Sequence, residues 1–138
     1  MNQIRQVSWT AVLWGVLTDF LLTQILGTVA QLGVGIDPNT DVDVAEEMLR
    51  ASPYFWPATA LGILFTGLGG FVAGRLAGRG GVFYGALVAF ITNILLGLFL
   101  YGQPPDDVRT ATIMLCFVAG MLGGWLGARS AGEPQANK

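Results

Sequence analysis

Small or polar residues recur at every fourth position through four hydrophobic stretches of this chain. Gly15, Asp19, Thr23, Gly27 and Gln31 form the first series, and Gly62, Thr66, Gly70, Gly74 and Gly78 the second. Gly81, Gly85, Ala89, Asn93 and Gly97 form the third, and Thr112, Cys116, Gly120, Gly124 and Ala128 the fourth. Residues four apart share one face of a helix. Lipid gives helices no reason to hide Leu from Leu, so they associate where small side chains let backbones approach. The pattern predicts an all-α membrane protein, a four-transmembrane-helix bundle with spans 9–32, 54–77, 82–101 and 108–128. Gly15, Gly27, Gly62, Gly70, Gly74, Gly85, Gly97, Gly120 and Gly124 are the expected helix-packing positions.

The composition agrees with a bilayer environment. Only 12% of the 138 residues are charged and 53% are hydrophobic, whereas soluble domains carry about 25% charge. The mean hydropathy is +0.59. A formal charge of −2 leaves no basic patch for nucleic acid. Thr28-Val29-Ala30 has the small-x-small form of a signal-peptidase site. The apolar stretch before it exceeds the roughly 7–15 residues of a signal core, so it reads as an uncleaved span.

Charge also orients the bundle. Arg5, Arg75, Arg79, Arg129 and Lys138 fall on the side of the termini, whereas the opposite side has only Arg50 and Arg109 among many carboxylates. Basic residues stay cytoplasmic, which predicts both termini inside a plasma membrane, with a prokaryotic setting. The chain also repeats. Leu22-Thr23-Gln24-Ile25-Leu26 matches Ile91-Thr92-Asn93-Ile94-Leu95, and GGFVAGRLAG from Gly69 matches GGWLGARSAG from Gly123. Two similar hairpins in parallel repeat are expected. The first hairpin carries an insertion, 34–53. In it Asp37-Pro38-Asn39 reads as a turn, and Asp43 with Glu46 resembles a capping box opening a short interfacial helix. Val44 and Met48 would form its apolar face. Pro104-Pro105-Asp106-Asp107 is expected to turn the chain and cap the last span.

Asp19 is the one carboxylate inside a predicted span, and a charge there costs at least about 2.5 kcal/mol, so it must face inward and find partners. Thr23, Gln24, Thr92 and Asn93 are the expected members of its intramembrane polar cluster. Its repeat counterpart, Val88, is apolar, which argues for packing rather than transport. Arg75, Arg79 and Arg129 set orientation at helix ends and are candidate contacts for lipid headgroups. Asp37, Asn39, Asp41 and Asp43 alternate as in a calcium loop, but Val42 stands where Gly is needed and Met48 where Glu belongs. The chain has no His, hence no His-ligated metal and no Ser-His-Asp triad. No metal, no cofactor and no enzymatic activity are expected.

The GGFVAGRLAG segment and the following GGVFYGALVAFI resemble small uncharacterised four-helix bacterial membrane proteins with a Gly-Gly-x-x-Ala-Gly-Arg helix ending. That resemblance implies a fold and a prokaryotic plasma membrane, and no activity. Taken together, the residues read as a non-catalytic structural or accessory subunit. Its expected partners are the lipid bilayer and either further copies of itself or other membrane subunits. The rival reading is a small channel or a proton- or cation-linked transporter that uses Asp19.

Overall fold

The computed structural model describes residues 7–95 and 106–132. They form α1 (Trp9–Val34), α2 (Val42–Arg50), α3 (Phe55–Ala77), α4 (Gly81–Phe90), a π-helical turn (Ile91–Leu95) that continues α4, and α5 (Asp107–Ala131). The helices α1, α3 and α5 are each long and apolar enough to cross a membrane. At 1.5 Å per residue they measure about 39, 35 and 38 Å, against a hydrocarbon core of about 30 Å. Gly81–Ile94 is a shorter apolar helix. The rest of the predicted third span to Tyr101, with Gly97 and Pro104-Pro105, lies outside the described residues, as do Arg5 and Lys138.

Local chemistry sets the helix ends. Gly35 takes a left-handed φ of 77°, its N–H donates to the Leu32 carbonyl, and the Ile36 N–H donates to the Gln31 carbonyl. That pair of bonds is a Schellman ending. Gly78 (φ 68°) and Gly80 (φ 67°) flank Arg79 in the turn between α3 and α4, where a side chain would be strained. Asp106 Oδ1 accepts from the Arg109 N–H at 2.8 Å and caps α5. Asp37 Oδ1 accepts from the Asn39 N–H at 2.7 Å, which makes the turn expected there.

The interior is made of small residues. Ala11, Ala73, Val88, Ala89 and Cys116 are buried, and the largest fully buried side chains are Val88 and Asp19. Trp14, Leu21, Ile25, Leu64, Leu115 and Leu122 point outward. Backbones therefore touch. A Cβ on Gly70 would strike the Gly120 carbonyl, and one on Gly74 the Gly124 carbonyl, so α3 and α5 run parallel. Gly81 and Gly85 of α4 meet Gly124 and Gly120 in the antiparallel sense. A Cβ on Gly15 would come within 2.7 Å of the Gly69 carbonyl, joining α1 to α3. Because α3 and α5 are parallel, Arg75 and Arg129 share one end of the bundle, and α2 lies at the other.

The four-residue series does not stay in contact along its whole length. No atom lies within 4 Å of a Cβ built on Gly27 or Gly62, so these two glycines do not pack against a neighbouring helix. The helices part here, and both residues line a cavity. The seam also draws in glycines outside the series: Gly123 meets the Gly67 carbonyl and Gly127 the Phe71 carbonyl. Gly123 and Gly127 are themselves four apart, one position before Gly124 and Ala128. They carry the α3 contact further round α5 than a single four-residue row reaches.

The short helix differs from its expected form in two ways. Its cap is Asp41, whose Oδ1 accepts from the Asp43 N–H at 3.1 Å, so the helix starts earlier than a capping box from Asp43 to Glu46 would place it. Its inward face is Ala45, which is buried, with Leu49, while Val44 and Met48 are exposed. The reason is the ion pairing that holds the helix down. Glu46 accepts from Arg109 Nη2 on both oxygens at 2.7 Å and from Arg50 Nη2 at 2.8 Å. Arg50 Nη1 also lies 2.6 Å from Asp106 Oδ2. Arg50 and Arg109 are thus both bound to Glu46 of α2, and Arg50 also to Asp106, the cap of α5.

Candidate functional site

Asp19 is the eleventh residue of α1, about 15 Å along its axis, and is only 2% exposed. Three helices bring hydroxyls to its carboxylate. From its own helix, one turn on, Thr23 Oγ1 donates to Oδ1 at 3.3 Å. From α3, Thr66 Oγ1 donates to Oδ1 at 3.2 Å. From the π-helical turn, Thr92 Oγ1 donates to Oδ2 at 2.6 Å. Burying a carboxylate without such partners would be prohibitive. Among the described residues no buried side-chain nitrogen or oxygen lacks a partner.

The wider turn at Ile91–Leu95 has a local consequence. A π-turn shifts the helical register, and such bulges are common where side chains must be re-aimed at a site. Here it carries Thr92 and Asn93. Asn93 Nδ2 donates to the Ala89 carbonyl at 3.1 Å and to Thr92 Oγ1 at 3.1 Å. Since a carbonyl only accepts, the Ala89 contact identifies the amide nitrogen. Asn93 thereby orients Thr92 and does not touch Asp19 directly.

A cavity of about 290 Å³ runs from this cluster toward α2. Thr23, Gly27 and Ala30 line it along α1, Thr66, Gly62 and Phe55 along α3, and Leu49 of α2 lies at its far end. Thr112 and the buried thiol of Cys116 complete the α5 wall. In the opposite direction Gly15, Gly69, Ala73 and Val88 are pressed together. Asp19 sits where this cavity meets the closely packed helices.

Four of the five residues expected in the polar cluster meet here: Asp19, Thr23, Thr92 and Asn93. Gln24 does not. It is exposed on another face of α1 and its carbonyl accepts from Thr28 Oγ1. Thr23 lines the cavity, and the step of about 100° to the next helical position turns Gln24 out of it. Thr66 takes the place expected of Gln24. It belongs to the second series of small residues, and a hydroxyl there among glycines was the available signal. At the other end Arg75, Arg79 and Arg129 are exposed. The Arg129 guanidinium stacks 5.3 Å from the Trp125 ring beside a surface groove between α4 and α5. No family model, curated protein or solved structure matches the chain.

Proposed function

We propose that this chain is a four-span membrane protein that handles a small cation, a proton included, at Asp19. The observation that carries this reading is a fully buried carboxylate, ringed by hydroxyls, at the blind end of a cavity. Ionisable groups at membrane depth are costly to keep and belong to ion and substrate pathways more often than to packing. Reading the chain as a channel or transporter therefore moves ahead of the accessory role that the sequence favoured.

Several features support the finer topology. In α4 and its π-turn the first half of the predicted third span lies antiparallel to α5. The helix α1 crosses α3 at Gly15 and Gly69, much as α4 crosses α5 at Gly85 and Gly120, which favours two related hairpins. Among the described residues Arg75, Arg79 and Arg129 gather at one end, against Arg50 and Arg109 at the other. That asymmetry favours cytoplasmic termini.

The second reading is a non-catalytic accessory subunit that packs with itself or with a larger complex. The close packing around Gly15, Gly69 and Val88 favours it, because a static bundle has no need of a path past Asp19. Reconstitution into liposomes decides between them. We expect ion movement that Asp19→Asn abolishes without lowering the melting temperature. Flux equal in the two proteins would remove the ion-handling reading and leave the accessory one.

A further inference from the structure

Resting on that ion-handling reading, we propose that the ion is a proton, and that Thr92 is the positioning residue that lets Asp19 hold it. The geometry around the carboxylate satisfies both of its charge states without moving a backbone atom. A threonine hydroxyl has one hydrogen to give and two lone pairs to receive with. Thr92 Oγ1 lies within reach of two acceptors, Asp19 Oδ2 at 2.6 Å and the Val88 carbonyl at 3.0 Å. Thr66 Oγ1 likewise lies between Asp19 Oδ1 at 3.2 Å and the Gly62 carbonyl at 3.3 Å. Each hydroxyl can serve only one acceptor at a time.

With Asp19 ionised, Thr23, Thr66 and Thr92 all donate to it. When a hydronium in the cavity gives up its proton, an O–H bond forms on Oδ2 and a water molecule is left. Oδ2–H then donates to Thr92 Oγ1, and the Thr92 hydrogen rotates to the Val88 carbonyl. Thr92 Oγ1 now receives from Asp19 and from Asn93 Nδ2, which fills both of its lone pairs. Thr66 is free to turn to the Gly62 carbonyl. Release of the proton reverses each rotation.

The same arrangement suits a metal cation poorly. Hard cations gather six or more oxygens, whereas the two Asp19 oxygens with the hydroxyls of Thr23, Thr66 and Thr92 make five. Among the described residues no three His, Cys, Asp or Glu side chains come together. Among the described residues, the groups facing Asp19 from α3, α4 and the π-turn are uncharged: Thr66, Gly69, Val88 and Thr92. Among the described residues Cys116 of α5 is the other titratable group lining the cavity, and the pairs of Glu46, Arg50, Asp106 and Arg109 belong to the α2 end.

Infrared difference spectroscopy on the full chain in lipid tests this without needing transport. We expect a carboxylic C=O band that appears on acidification, is absent from Asp19→Asn, and is unchanged by Na⁺ or K⁺. Thr92→Val should shift that band and Thr92→Ser should restore it, while both variants melt like the parent. A band displaced by Na⁺ at constant pH, with flux that needs Na⁺, would overturn the proton and leave ion handling at Asp19 intact. Absence of any Asp19-dependent band in the folded protein across the pH range would overturn the inference too. Flux indifferent to Asp19→Asn would instead remove the reading on which it rests.

Discussion

Arg109, in the first turn of α5, donates to both carboxylate oxygens of Glu46 on α2 at 2.7 Å. This pair fastens the short helix over the end of the Asp19 cavity. Glu46 also holds Arg50, and Arg50 reaches on to Asp106, so the four residues act as one network. Glu46, Arg50 and Arg109 are about one-third exposed and Asp106 about half, and such pairs contribute about 1 kcal/mol or less. Glu46→Gln should therefore lower the melting temperature only slightly but speed hydrogen exchange across residues 42–50. Unchanged exchange there would mean that Ala45 and Leu49 hold α2 unaided.

Acid should loosen the same attachment. The Arg109 backbone N–H, and then the Arg50 guanidinium, hold the Asp106 carboxyl below the usual carboxylate range. A folded-state pKa below the unfolded one gives stability that is present above the unfolded value, about 3.9 for Asp, and is lost as pH falls through the folded one. Exchange over residues 42–50 should stay slow down to about pH 4 and rise below it. Asp106→Asn keeps a good helix cap but removes the charge, so part of that acid response should disappear. An identical acid profile in the variant would assign the response to other carboxylates.

Glycine positions should divide into two classes. At Gly70 and Gly74 a larger side chain meets a facing carbonyl, and Gly70→Leu should cost about 1–3 kcal/mol, as overpacking does. Gly27→Ala and Gly62→Ala enter open space and should be neutral or stabilise by up to about 1 kcal/mol, since Ala is the better helix former. Leu64→Ala, on the outer face, should cost much less than Gly70→Leu. Detergent melting curves read all four. Equal losses at Gly70 and Gly62 would dissolve the distinction.

Replacing Asp19 separates shape from hydrogen bonding. Asn can accept from Thr23 and Thr66 and donate to Thr92, which then turns to the Val88 carbonyl, so Asp19→Asn should fold and melt normally. Asp19→Leu removes those bonds, yet Thr66 and Thr92 fall back on helix carbonyls, and intramembrane bonds average only about 0.6 kcal/mol. Leu keeps the branched outline of Asp, so the cost should come from the lost bonds and stay modest. Thermal melts should place the Leu variant only slightly below the Asn variant.

Sidedness can be read by labelling in a Cys116→Ser background. Cysteines at Asn39, near α2, should react with an impermeant reagent applied outside intact cells, whereas those at Arg79 or Ser130 should not. The reverse pattern would invert the bundle.

By itself the sequence determined that the chain is helical, which stretches are apolar enough for lipid, and where most helices start and stop. Those properties depend on near neighbours. The Asp106 cap and the glycines of positive φ act within a few residues, and span-length hydropathy within one continuous segment. Sequence also marked Asp19 as requiring partners, because a lone carboxylate in an apolar run is costly wherever the chain folds. Tertiary structure decided which partners it found. Thr66 lies 47 positions from Asp19 and Thr92 lies 73 positions away, and no local rule ranks them above Gln24, which is nearer but points elsewhere. It also decided that the glycine series closes at Gly70 and Gly120 and opens at Gly27 and Gly62. A stripe of small residues permits contact but cannot say where two helix axes diverge. That divergence starts from the crossing of α1 with α3 at Gly15 and Gly69. Depth and divergence are properties of several helices at once, so the cavity exists only in the assembled bundle.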